Sequence, residues 1–164
     1  MDAGDSRATV LRTLRWLLLG GWFGSWALFA FVVAPLAFRV LPNGHVAGEL
    51  VSPLLRTLHL YGAFAGVGLL VLAVVQRERA LFAITPGLLG LLCLVTELGI
   101  TGAIGGMRPS TFGPDTPPDA AARFAALHQA SRFVFGLVLA GSAALIAMYA
   151  RADLARTGPR AEPD

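Results

Sequence analysis

The sequence predicts an all-α fold: a four-transmembrane-helix bundle, polytopic in the membrane, with both termini cytoplasmic. Three observations predict it. Of the 164 residues, 55% are hydrophobic and only 14% are charged, whereas an ordinary soluble domain carries roughly 25% charged residues. Mean hydropathy is +0.67, and a single domain of this length has too little interior to hide so much apolar surface from water. The apolar residues also gather into four stretches, each long enough to cross about 30 Å of hydrocarbon at about 1.5 Å per residue. No alternating barrel pattern competes, and lipid leaves no backbone group unpaired, so the spans are helices.

The first span runs over about 16–34 and is expected to stop at Pro35. Its apolar stretch exceeds the 7–15 residues of a signal-peptide core, and Ala34-Pro35-Leu36-Ala37 is a poor cleavage site, so it reads as a retained helix. The second span covers about 54–75 and ends at the cluster Gln76-Arg77-Glu78-Arg79. Asn43, in the turn Pro42-Asn43-Gly44, is placed to cap a helix that starts before the membrane and passes through Pro53 with a kink. The third span covers about 80–104 and ends in Gly105-Gly106. The loop from Arg108 to Pro118 is rich in Pro, Gly, Ser and Thr and reads as irregular. Thr116-Pro117-Pro118-Asp119 then predicts a helix start with Thr116 as N-cap, leading into the fourth span at about 120–150. Residues 1–155 form one transmembrane domain in this reading, and 156–164 form a disordered polar tail.

Arginine supplies every basic residue and sets the orientation. The N-terminal segment (Arg7, Arg12, Arg15), the middle turn (Arg77, Arg79) and the C-terminal segment (Arg151, Arg156, Arg160) fall on one side. Arg39, Arg56, Arg108 and Arg123 fall on the other, with Arg132 near that boundary. The positive-inside rule places the richer side, and with it both termini, in the cytoplasm, which suits a bacterial inner (plasma) membrane.

Several functions are excluded on composition. The net charge is only +3 and the arginines are dispersed, so no nucleic-acid footprint is present. Cys93, the single cysteine, lies in an apolar run and belongs to no CxxC pair. There is no Walker loop, dinucleotide glycine motif, HExxH or Ser-His-Asp order in a usable setting, so no catalytic residue is assigned.

Ionisable residues inside a span are costly and point to a site. His59 is seventeen residues from Gln76, and Glu97 sixteen from Leu81, which places both about 25 Å from the cytoplasmic boundary by the helical rise. Arg132 is nineteen residues from Arg151, His128 lies four further out, and Ser131 shares their face. His59, Glu97, His128, Ser131 and Arg132 therefore form a predicted polar cluster near the outer face, with Arg56 and Thr101 one turn away. Glu97 and Arg132 also read as a charge-cancelling pair, and His59 as a core histidine bonded to backbone. His45 reads as a loop residue without a role. Trp16, Trp22, Trp26 and Tyr149 read as interfacial or lipid-facing aromatics. Gly20/Gly24, Gly62/Gly66 and Gly102/Gly106 are small-residue pairs at spacing four, suited to close helix packing in the bundle or to homo-oligomerisation.

Two stretches carry a family resemblance. Phe31-Val32-Val33-Ala34-Pro35-Leu36-Ala37-Phe38-Arg39-Val40-Leu41-Pro42, followed by Ala47-Gly48, resembles the end of the first helix and the first loop of the transmembrane protein 205-like family. Phe124-Ala125-Ala126-Leu127-His128-Gln129-Ala130-Ser131 resembles that family's fourth-helix signature, although Phe135 stands where the family tends to carry Asn. The resemblance implies a small four-helix membrane protein with a domain of unknown function, and it implies no reaction.

The sequence thus reads as a non-enzymatic membrane protein that binds or passes a small solute or ion at an outward-facing polar site, with no cofactor expected. One alternative is a membrane redox protein in which His59 and His128 ligate haem b or a transition metal. The other is a structural subunit that meets a membrane partner protein, or its own copy, through glycine faces.

Overall fold

The computed structural model describes residues 3–107 and 109–157. Four long helices alternate in direction. Helix α1 comprises Ala3–Leu28, a π-helical stretch Phe29–Val33 and Ala34–Val40. Helix α2 is Gly44–Val75. Helix α3 comprises Ala80–Val95, a second π-helical stretch Thr96–Thr101 and Gly102–Gly106. A 3₁₀ turn, Pro109–Thr111, precedes helix α4, Pro118–Thr157. All four helices are long and apolar enough to cross a membrane. The protein is a small multi-pass membrane protein.

The helix ends correct the sequence reading in three places. Pro35 does not stop α1. The turn before it widens, with the Ala34 N–H donating to the Phe29 carbonyl five residues back, and the helix continues through the proline to Val40. A widened turn accommodates a ring that would otherwise press on the carbonyl four residues earlier. Thr116 is not the cap of α4: its hydroxyl accepts from the Gly113 N–H at 2.8 Å across the loop, and the first helical bond runs from the Ala121 N–H to the Pro117 carbonyl. At the other end α4 passes Ala155 and reaches Thr157, with Arg156 bonded to Glu78; residues 158–164 lie outside the described residues. Asn43 caps α2 as its position predicts, accepting from the N–H groups of His45 and Val46 at 3.0 Å. His45 is exposed in that first turn, and α2 continues through Pro53.

Each helix buries one stripe and shows the rest to lipid. On α1 the stripe is Arg15, Leu19, Trp22, Trp26 and Phe29, spaced four, three, four and three. Trp22, Trp26 and Tyr149 are therefore core residues, not lipid-facing aromatics: they stand on the inward stripes of α1 and α4. Trp16 is half-buried and donates through Nε1 to Asp153 at 3.2 Å. On α4 the stripe is Ser131, Val138, Ser142, Leu145 and Tyr149, the heptad-like spacing of antiparallel bundles. Outward-facing apolar residues such as Phe31, Phe64, Leu98 and Phe133 are exposed, as a hydrocarbon solvent allows.

Helices α2 and α3 make the most extensive contact. A Cβ on Gly66 would lie 2.6 Å from the Pro86 carbonyl and 2.7 Å from the Gly90 Cα, and one on Gly62 would lie 2.7 Å from the Cys93 Sγ. Backbone here touches backbone, which requires glycine. The other two pairs behave differently. Gly20, Gly24 and Gly106 have open space around the Cβ position, and Gly102 has only its own helix at 3.8 Å, so none of the four is a packing glycine. The three pairs share one spacing, but only the α2 pair falls on an inward stripe.

Candidate functional site

His59 lies on the inward stripe of α2, four residues before Ala63 and three before the packing glycine Gly62, and is fully buried. Glu97 lies in the π-helical stretch of α3, where the Gly102 N–H reaches back to the Glu97 carbonyl. Its Oε2 lies 3.2 Å from His59 Nδ1 and its Oε1 lies 3.5 Å from Arg56 Nε. With Glu97 ionised, Nδ1 carries the proton and donates, leaving Nε2 as an acceptor. Each end of the carboxylate thus has its own partner. The trio is electrically neutral while His59 is neutral, which suits a site whose inner members, His59 and Glu97, lie within hydrocarbon.

Behind the trio the wall is aromatic. Trp26 packs against His59 with ring centroids 5.7 Å apart and stacks on Phe135 at 4.4 Å, and Phe29 completes the group. His59 Nε2, Trp26 Nε1 and Trp22 Nε1 are buried without a partner among the described residues. In front of the trio is an open groove of about 490 Å³ between α2 and α3. Ser52 and Arg56 line it on α2, and Glu97, Leu98 and Thr101 on α3, with Gly102 and Gly105 leaving its wall low. Glu97 is the connection: one oxygen faces the groove's arginine and the other the buried imidazole.

The structure joins His59 to Glu97 and gives Arg132 and His128 other surroundings. Arg132 is exposed and forms no ion pair with Glu97, whose cation is Arg56. Ser131 is buried on α4. His128 is exposed and stacks on Phe124 at 5.8 Å, which meets Phe112 edge-on. The reason lies in α4: none of residues 118–130 is buried, so its first turns stand beyond the packed core and carry His128 with them. Arg132 follows Ser131 by one residue, which turns it about 100° off the inward stripe. Among the described residues no hydrogen bond, ion pair or ring contact joins His128 to His59. Among the described residues no group of three or more His, Cys, Asp or Glu is placed to hold a metal ion.

A second polar cluster, not anticipated from the sequence, sits at the opposite end of the bundle. Arg15 is only 1% exposed. Its Nη2 bonds both Asp153 oxygens, at 2.9 and 2.7 Å, and its Nη1 reaches Glu78 at 3.4 Å. Glu78 also accepts from Arg156 at 2.5 Å. The Arg15 guanidinium lies over the Tyr149 ring at 4.5 Å, and the Tyr149 hydroxyl donates to the Phe82 carbonyl at 3.3 Å. This network fastens α1, the turn between α2 and α3, and α4 to one another. The available signal was an acidic residue beside the arginines at two of the three boundaries, which charge counting alone passes over.

Residues 17–107 match the model of a domain of unknown function, DUF4149. The match takes in the groove, His59, Glu97 and the Gly66–Gly90 contact, together with the stretch Phe31–Pro42, and it stops before α4. No curated protein and no solved structure matches the chain.

Proposed function

The chain belongs to the DUF4149 family, and we propose that it is a non-enzymatic membrane protein that binds or passes a small solute or ion at the groove between α2 and α3. The carrying observation is the doubly engaged Glu97 carboxylate, which ties the groove's Arg56 to the buried His59. A cation competes with Arg56 for one end of that carboxylate, an anion competes with the carboxylate for Arg56, and either change reaches His59 through the other oxygen. The unpartnered nitrogens of His59, Trp22 and Trp26 give this reading a polar interior behind the groove. Kinship with the transmembrane protein 205-like proteins is part of the proposal, since the first of its two stretches lies inside the family match. So is the placement in a bacterial inner membrane with both termini cytoplasmic, which the arginine distribution supports.

The test is thermal unfolding of the detergent-purified protein against a panel of simple inorganic cations and anions, amino acids and carboxylates. At least one is expected to stabilise the wild type and to lose that effect in Glu97→Gln. Identical responses of both proteins across the whole panel would remove the groove as the binding site.

A further inference from the structure

We infer that the groove mouth is a phospholipid site in which Arg56 holds the lipid phosphate and the acyl chains run down past Leu98. The inference rests on the groove described above but assigns it a ligand drawn from the bilayer itself.

The first argument is depth. Arg56 is twenty residues from Gln76, at the end of α2 that meets the charged turn. At about 1.5 Å per residue that separation is about 30 Å, the thickness of the hydrocarbon. Arg56 therefore stands at the level of the lipid phosphates on the far face, while His59 and Glu97 lie a turn below it. The second is donor geometry. The closest approach of Arg56 to Glu97 is through Nε, at 3.5 Å, and its side chain is 70% exposed. A guanidinium this exposed can turn its fork to a second anion, and that fork matches a phosphate in a bidentate way. Both Glu97 oxygens are already engaged, so the unmet capacity of the groove is for negative charge.

The third argument is the character of the lining. Ser52 and Thr101 bring hydroxyls to the same groove as Arg56, suited to a headgroup. Leu98, beside Glu97, is 73% exposed. Gly105 has open space where a side chain would stand. A polar mouth, an apolar flank and a low glycine wall together fit an amphiphile better than a free ion.

The experiment is calorimetric titration of the full chain in a neutral detergent with dihexanoyl-phosphatidylglycerol. The comparison ligands are glycerol phosphate, which lacks chains, and dihexanoylglycerol, which lacks phosphate. Arg132 is also exposed and near the same boundary, so Arg132→Gln serves as the control for general headgroup attraction. Arg56→Gln is expected to weaken phospholipid binding about tenfold or more, Arg56→Lys to fall between, and Arg132→Gln to leave it within about twofold. Both comparison ligands are expected to bind at least about tenfold more weakly than the phospholipid, because each lacks one half of the recognition. Equal losses in Arg56→Gln and Arg132→Gln would overturn the site, and glycerol phosphate binding as well as the lipid would overturn the lipid assignment. Neither result depends on the Glu97→Gln comparison, so this inference and the solute reading fail separately.

Discussion

At the level of single residues, burial separates positions that look alike in the sequence. Gly66 and Gly24 each close a small-residue pair at spacing four, yet only Gly66 is pressed against backbone. Gly66→Ala is expected to cost about 1–3 kcal/mol, because the Pro86 carbonyl and Gly90 Cα cannot step aside. Gly24→Ala, in open space, should stay within about 0.5 kcal/mol of wild type. Unfolding titrations in mixed micelles measure both, and equal costs would show that the close approach contributes nothing. The depth of His59 and Glu97 was legible because helical rise converts residue number directly into height. Partner choice was not: Arg56 and Arg132 both lie near the right height, and which one meets Glu97 depends on the direction each side chain leaves its helix. For Trp22 and Trp26 the decisive signal was present, in their spacing with Leu19 and Phe29, but the usual interfacial habit of tryptophan obscured it.

Among elements, the four spans were readable because hydrocarbon thickness imposes a minimum apolar length; ends marked by local chemistry, such as the Asn43 cap and the stop at Gln76, were readable too, whereas the passage through Pro35, the start of α4 and its reach to Thr157 were not. The two π-helical stretches were also hidden. Each holds one residue more than an α-turn, so periodicity counted straight through Thr96–Thr101 assigns the wrong facing to whatever follows. The Arg15 network shows what elements require of each other at their ends. Arg15→Met would take from Asp153 its two-bond cation partner and weaken the hold on Glu78, and it is expected to destabilise the bundle by about 3–5 kcal/mol, as the loss of one partner from a buried ion pair does. Adding Asp153→Leu should recover part of that loss. Strictly additive losses in the same unfolding assay would mean that the pair contributes no coupling between α1 and α4.

For the whole molecule, the contact of Arg15 with both Glu78 and Asp153 brings the N-terminal segment, the middle turn and the C-terminal segment to one end. Their arginines therefore share a side, and the positive-inside rule predicts that side to be cytoplasmic. A reporter fused after Asp164 should be active in the cytoplasm, and one inserted at Thr111 should be exported; the reverse pattern would invert the proposed orientation and move the Arg56 groove to the inner leaflet. The same three-way contact also sets a timetable. Asp153 follows Arg15 by 138 residues, so at roughly 5–20 residues per second the ribosome makes it about 7–30 s later. Glu78 comes at 63 residues, less than halfway through that interval. During synthesis Arg15 thus has a partner in the turn between α2 and α3 before the aspartate on α4 exists. The last helix then arrives to a charge already half satisfied, and its aspartate closes the network last.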